Sequence, residues 1–254
     1  CNYKCTYCTI PNARGYPRSL EFEKLPEQFN EVRSKGYLEI VLSGINLGEY
    51  KSNDKYRFKD VLKLISSNDF GVRFRVSSLE PNLIDSEVIS LLCNSDNICP
   101  HFHIPLQSGS DKILKLMKRR YNSQRIFDSV LEIKSVNPDA CIGLDVITGF
   151  PGESAVEFDE TYKFINTLPV SYLHVFTYSE RKNTLAATFP NSVPKITRKE
   201  RTAKLKELSD SKLQEFHKSQ IGKTNLFLPE KYDADKKIHY GHTSNYVNCF
   251  VKTD

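Results

Sequence analysis

Apolar and polar positions follow two different rhythms along this chain. Short apolar runs of strand length recur at Leu38 to Ser43, Val72 to Ser77, His101 to Pro105, Cys141 to Thr148 and Tyr172 to Phe176. Between them lie amphipathic stretches with helical spacing, Asp85 to Cys93, Gln124 to Val136 and Glu157 to Leu168. Strand and helix signals that take turns in this way predict parallel βα units, an α/β fold. In Gln124 to Val136, the apolar residues Ile126, Phe127, Val130, Ile133 and Val136 fall on one helical face. Ser123 is the expected N-cap and Asn137-Pro138 ends the run, so this is a core-facing helix without chemistry of its own.

The pattern changes towards the C-terminal end. Lys195 to Ser219 predicts a charged helix with Leu205, Leu208, Leu213 and Phe216 on an apolar stripe and Lys and Arg on a solvated face opposite. Beyond Ile221-Gly222 the spacing turns β-like, with strands expected at Thr224 to Leu228 and Tyr246 to Val251 and a loop between them containing Gly241-His242-Thr243-Ser244-Asn245.

Composition narrows the class. A chain of 254 residues buries roughly three quarters of its unfolded surface and needs no covalent staples. Its seven irregularly spaced cysteines do not form a secreted disulfide framework, and reduced thiols point to a cytoplasmic protein. The longest apolar runs are far below the ~18 residues that cross a bilayer, and nothing resembles a signal peptide. The excess of 36 Lys+Arg over 31 Asp+Glu, a net charge of +5, leans towards a polyanionic partner without deciding one.

The chemistry is concentrated at Cys1-Asn2-Tyr3-Lys4-Cys5-Thr6-Tyr7-Cys8. Three cysteines on so short a loop can converge on one metal site. A closed structural zinc site or an ordinary electron-transfer cluster takes four protein ligands, whereas three leave a metal position open for a substrate or cofactor. No fourth Cys or His follows at zinc-finger spacing, which argues against a zinc knuckle. Cys93, Cys99 and Cys141 lack this spacing and read as small buried hydrophobes.

The CxxxCxxC spacing, with Tyr7 before the last cysteine, resembles the radical S-adenosylmethionine (SAM) enzymes. That resemblance implies that Cys1, Cys5 and Cys8 hold three irons of a [4Fe-4S] cluster while the fourth iron chelates the amino and carboxylate groups of SAM. It also implies a partial (β/α)6 barrel whose first strand leads into the cysteine loop. Because the chain begins at the cysteine itself, it is expected to be a fragment lacking at least that strand.

Further motifs sit where such a barrel builds its site, at strand C-terminal ends. They are Ser43-Gly44-Ile45-Asn46-Leu47-Gly48-Glu49-Tyr50, Ser77-Ser78-Leu79-Glu80-Pro81 and His103-Ile104-Pro105-Leu106-Gln107-Ser108-Gly109-Ser110, to which Met117-Lys118-Arg119-Arg120-Tyr121, Asp145 to Glu153 and His174 to Ser179 are added. The ordered set resembles the radical SAM methylthiotransferases. It implies cofactor contacts from Tyr7, Glu80, Gln107, Ser108, Ile147 and Phe176. Ile147 would flank the adenine in the Gly149 to Glu153 region, which by its residues alone is also an ordinary strand-to-helix turn. Ser108-Gly109-Ser110 serves equally as an N-cap for a helix starting near Lys112, and such an N-terminus attracts a carboxylate.

The same resemblance divides the chain into a radical SAM core, 1–219, and an incomplete TRAM-like tRNA-binding β domain, 220–254, on the pattern Gly241-His242-Thr243-Ser244-Asn245-Tyr246. The N-terminal methylthiotransferase domain, whose three cysteines hold a second [4Fe-4S] cluster, lies outside this sequence, so the chain alone should cleave SAM at best. Ala13-Arg14-Gly15-Tyr16-Pro17-Arg18-Ser19 lacks the glutamate usual in enzymes acting on isopentenyladenosine. With Met117 to Tyr121 it is closer to the MtaB branch, which modifies N6-threonylcarbamoyladenosine beside the tRNA anticodon. The isopentenyladenosine branch and the branch acting on a ribosomal protein are the alternatives. The implied partners are a tRNA anticodon arm, met by Lys118, Arg119, Arg120 and the Lys and Arg of Lys195 to Lys206, and an electron donor such as flavodoxin or ferredoxin. A reading of another class, a non-catalytic iron-sulfur RNA-binding module, is distinguished by its inability to cleave SAM.

Overall fold

The computed structural model describes residues 1–253. Helices α1 (Ile10–Arg14) and α2 (Leu25–Ser34) precede β1 (Glu39–Leu42), and a small hairpin of β2 (Lys51–Ser52) and β3 (Tyr56–Arg57) leads to α3 (Phe58–Ser66). Then come β4 (Arg73–Val76), α4 (Ser86–Asn94), β5 (His101–Gln107), α5 (Asp111–Leu116), α6 (Ser123–Val136), β6 (Cys141–Thr148), α7 (Ala155–Thr167), β7 (Tyr172–Thr177) and α8 (Lys195–Ser219). The predicted parallel strands are all present within a residue or two of their expected bounds.

β1 pairs in parallel with β4, and β5, β6 and β7 form a second parallel set in chain order. Isolated parallel bridges, Phe74 to Ile98 and Ser78 to His103, carry the backbone pairing from the first set to the second. Because side chains alternate along a strand, each strand shows two different faces. Phe74, Val76, Phe102, Ile104, Leu106, Ile142, Leu144, Val146 and Leu173 point one way and join Leu62, Ile65, Ile89, Ile126, Ile133 and Leu205 of the helices in the main core. The alternate positions, Glu39, Arg73, Arg75, His101, His103, Asp145, Tyr172 and His174, line the other face, and they are polar.

Local chemistry sets the helix ends. Asp85 caps α4 by accepting from the Val88 N–H at 3.0 Å, and Ser154 with Glu157 forms a reciprocal capping box on α7. For α6 the cap is Asn122, not the expected Ser123. Asn122 keeps extended backbone and its Oδ1 accepts from Arg125 N–H at 3.0 Å, while Ser123 is already helical and donates its N–H to Asp111.

α8 has the expected bounds but not the expected face. Leu205, Leu208 and Phe216 are buried, Leu213 only partly, and Arg198, Arg201 and Lys212 are buried with them. Each has an acceptor that offsets desolvation: Arg198 donates to the Tyr178 and Val193 carbonyls, Arg201 to Glu153, and Lys212 to the Leu168 carbonyl at 2.7 Å. The solvated cations of Lys195 to Lys206 are Lys195, Lys199, Lys204 and Lys206.

The tail is a three-stranded antiparallel sheet of β8 (Phe227–Asp233), β9 (Ile238–Thr243) and β10 (Asn248–Lys252). The expected loop at Gly241 to Asn245 is therefore corrected: Gly241, His242 and Thr243 lie within β9, a strand disguised by its polar residues. Gly241 is required there, because a Cβ would come within 1.9 Å of the Leu228 carbonyl oxygen. The following turn docks on the polar face at the first residues of the parallel strands. Arg73 donates to the carbonyls of Leu226 and His242, Arg75 to that of Ser244, and the Tyr246 ring stacks on His101 at 4.5 Å beneath the Arg75 guanidinium. Glu39 holds this layer together by accepting from Arg73 at 2.6 Å and Arg75 at 2.9 Å, with His242 at 3.3 Å. Burial pushes its carboxyl up, but the His242 and Arg75 contacts outweigh that and hold it well below the usual carboxylate range. With this end of the strands closed by the tail, the open end is the one where they finish.

Candidate functional site

The cysteine loop lies at that C-terminal end, and the segment after α5 pins it there. Thr6 N–H donates to the Met117 carbonyl at 3.1 Å and its hydroxyl to the Leu116 carbonyl at 2.9 Å, while Ala186 N–H donates to the Thr6 carbonyl. Tyr3 is buried, bonded to Asn82 and covered by the Arg120 guanidinium 3.9 Å from its ring. Between these anchors the loop turns tightly, Cys8 N–H meeting the Cys5 carbonyl at 3.1 Å, so all three cysteines are held on one short, partly exposed arc.

Each sulfur accepts a hydrogen bond. Cys1 takes the Tyr3 N–H at 3.4 Å, Cys8 the Ile10 N–H at 3.4 Å, and Cys5 the Arg119 guanidinium at 3.1 Å. Burial raises the Cys5 thiol above its ordinary value, and the Arg119 guanidinium offsets part of that rise. Arg119 is the hub of the site. Its side chain is 4% exposed and also meets Glu80, the Tyr7 hydroxyl at 3.4 Å and the Tyr121 hydroxyl at 2.9 Å. The expectation that Arg119 belongs to an RNA-facing basic surface is thereby corrected; Lys118 and Arg120 beside it are exposed.

The residues expected to contact SAM do not all share one cavity. Glu80 and Tyr7 meet at Arg119. Ile147 packs with Tyr7 in a small apolar cluster around Phe150, Met117 and Tyr178, and Tyr7 meets Phe150 edge-on at 6.2 Å. Phe176, beside Ile147 in register, is 53% exposed and lines a shallow cleft with His174 and Lys206. Gln107 is buried at a β-bulge with φ +66°. Ser108 is fully buried against α7, where its hydroxyl meets Thr161 Oγ1 at 3.1 Å and accepts from Ser110 N–H. It braces the turn and presents nothing to the open end. Glu153 is likewise structural, tying Gly149 N–H at 2.8 Å to Arg201 at 2.5 Å.

A cavity of about 600 Å³ lies instead between Cys1, Arg14 to Leu20 and Ser43 to Leu47. Asn46 and Glu49 line it, and both polar atoms of the Asn46 amide and one Glu49 carboxylate oxygen are buried without a hydrogen-bond partner. Orphaned polar atoms are costly unless a ligand uses them. They sit in the motif Ser43 to Tyr50 that sequence reasoning placed at a strand end without singling out a residue, and their signal was that position.

A family profile described as the radical SAM superfamily matches residues 1–165. The chain belongs to the radical SAM superfamily. Radical SAM enzymes use a [4Fe-4S] cluster and SAM, and the donors here fit both. The unpartnered Asn46 amide and the free Glu49 oxygen, whose partner oxygen lies 3.5 Å from Arg120, suit the carboxylate and amino groups of an amino acid. Among relatives, the threonylcarbamoyladenosine tRNA methylthiotransferase MtaB of Aquifex aeolicus (strain VF5) is 37% identical over 99% of this chain and 63% of its own length. The tRNA-2-methylthio-N(6)-dimethylallyladenosine synthase of Clostridium botulinum (strain Loch Maree / Type A3) is 34% identical over 100% of this chain and 58% of its own. The chain thus spans about six tenths of the curated relatives it matches. Among solved structures, the radical SAM methyltransferase TsrM from Kitasatospora setae has a TM-score of 0.62 at 15% identity, covering 74% of this chain and 37% of that one, a likeness of fold alone. No helix among the described residues is long and apolar enough to cross a membrane.

Proposed function

We propose that this chain is the radical SAM core of a tRNA methylthiotransferase that acts on N6-threonylcarbamoyladenosine beside the anticodon. The observation that carries the reading is the pinned loop with Cys1, Cys5 and Cys8 each free and hydrogen-bonded, next to a cavity with an unpartnered Asn46 amide and one unpartnered Glu49 carboxylate oxygen. Cys1, Cys5 and Cys8 would hold the cluster, and Asn46 and Glu49 the amino-acid end of SAM. Tyr7, Glu80, Ile147 and Phe176 remain candidates for its nucleoside end, with Gln107 and Ser108 shaping the strand end behind them. What cluster and SAM supply when bound is one-electron reductive cleavage of the sulfonium. Arg119 keeps the Cys5 sulfur and Glu80 in register, and the Tyr7 to Phe150 cluster keeps water from that side.

The preference for the threonylcarbamoyl substrate rests on the higher identity to an MtaB relative than to a dimethylallyladenosine one and on the missing glutamate in Arg14 to Ser19. Residues 1–219 form the proposed core. The sheet of β8 to β10 is proposed as part of a TRAM-like RNA-binding module in a cytoplasmic enzyme served by a flavodoxin- or ferredoxin-like donor. Anaerobic reconstitution followed by chemical reduction tests the core claim: 5′-deoxyadenosine and methionine should form from SAM, and Cys5→Ala should abolish both. A reconstituted protein that binds RNA but leaves SAM intact would make it a non-catalytic module.

A further inference from the structure

One layer above the docked tail, the polar face carries a cluster that neither the cysteine loop nor the Asn46 cavity uses. His103, Asp145 and His174 lie on the polar face of β5, β6 and β7; Asp145 pairs in register with His174, while His103 pairs with Gly143, two residues before Asp145. His103 Nε2 lies 2.7 Å from Asp145 Oδ1, His174 Nδ1 lies 3.2 Å from His103 Nε2, and His174 Nδ1 lies 3.4 Å from Asp145 Oδ1. One atom from each of three strands thus converges on a single point, and all three lie within 4.8 Å of one another.

The neighbouring layer shows what an ordinary polar contact looks like here. His101 Nε2 meets the Tyr172 hydroxyl at 2.8 Å as a simple pair, with room made by Gly143, whose Cβ would strike the Tyr172 ring at 2.2 Å. In the upper layer two imidazole nitrogens face each other at 3.2 Å, and both are turned to the same carboxylate oxygen. Protons could link each nitrogen to that oxygen, yet the two nitrogens would then crowd donor against donor. A cation satisfies all three at once. The three distances define a triangle with a circumscribed radius of about 1.8 Å, so an ion with bonds of ~2.0–2.1 Å rests about 1 Å above its plane. That is one face of a tetrahedron or octahedron, with at least one position left for water or a substrate atom. His174 has 49% of its side chain exposed, which gives an ion a way in.

We propose that His103 Nε2, Asp145 Oδ1 and His174 Nδ1 bind a divalent transition-metal cation of the Zn²⁺ or Fe²⁺ class, separate from the cysteine site. Two imidazoles and a carboxylate select such ions over Mg²⁺ or Ca²⁺, which take oxygen ligands. The site lies on the strands whose next inward positions are Ile147 and Phe176, so a bound ion sits one step below the open end.

The test uses protein already loaded with its cluster, so that the cysteines are occupied, titrated anaerobically with Co²⁺ and with Zn²⁺ against a chromophoric chelator. One equivalent of Co²⁺ should bind with visible d–d absorption and without a thiolate charge-transfer band, and Zn²⁺ should displace it. His174→Ala, at a half-exposed position that folding tolerates, should weaken binding at least about 100-fold, beyond the loss typical of supporting residues. Asp145→Asn should behave alike. The proposal is overturned if loaded protein binds neither ion below millimolar concentration, if His174→Ala binds unchanged, or if binding brings a thiolate band.

Discussion

Arg119 illustrates how one nearly buried side chain can organise a site. Its guanidinium joins Cys5, Tyr7, Glu80 and Tyr121, and burial, which disfavours its charge, is outweighed by those neighbours, so it stays protonated. Arg119→Gln keeps a hydrogen-bond donor but leaves Glu80 as a carboxyl without its counter-charge in a buried place. The expected cost is about 3 kcal/mol in urea unfolding of the apo protein. Most of it should be recovered in Arg119→Gln/Glu80→Gln, because the cost belongs to the pair. If the two single losses add in the double variant, the pairing carries no energy. Nothing in the sequence marked Arg119 for this place. A lysine and two arginines in a row read as a solvated patch, and which of them turns inward is decided by the backbone after α5, where Lys118 takes φ +56°.

At the scale of elements, the strands and most helices were legible because their periodicities are strong. β5, β6 and β7 alternate a hydrophobic residue for the helices with a polar or small one for the opposite face, a pattern that survives in one dimension. α8 hid its burial because Arg198, Arg201 and Lys212 occupy core-facing positions, where their acceptors, Tyr178, Glu153 and Leu168, lie in the segments just beyond β7, β6 and α7. β9 hid because His239, His242 and Thr243 pair with other strands and with Glu39 rather than with an apolar core. The docking of this sheet is held by a depressed carboxyl, which gives it a pH dependence of definite sign. Glu39 has a folded pKa below its ordinary value of 4.5, so its contribution is complete above that pH and is lost as pH falls through the acid range beneath. Amide protection factors of β8 to β10, corrected for the intrinsic exchange rate at each pH, should therefore fall on acidification before those of β5 to β7. Glu39→Gln should reproduce the loosening at neutral pH, about 100-fold faster exchange for a loss of ~3 kcal/mol, and should flatten the pH response. Identical acid profiles for the two sheets would remove Glu39 from this role.

For the whole molecule, the burial of Arg119, Arg198 and Arg201 reduces the cationic surface expected from the composition. Lys118, Arg120, Lys195, Lys199, Lys204 and Lys206 remain exposed. If about three of these meet phosphates, binding of an anticodon stem-loop should follow a slope of roughly −2 in log K against log salt. Removing Lys195 and Lys199 together should lower that slope by more than about 1. A stem-loop bearing the threonylcarbamoyl group should bind more tightly than its unmodified twin, and equal weak binding of any RNA would reject the specific reading. The attachment of the tail adds a geometric consequence. Since Arg73, Arg75 and Glu39 grip the three-stranded sheet at three places, Leu226 before β8, His242 within β9 and Ser244 after it, the sheet can seat only one way round, like a keyed plug. Its handedness is then fixed with respect to the parallel strands, and the rings of Tyr240 and Phe250, 6.2 Å apart, always face outward.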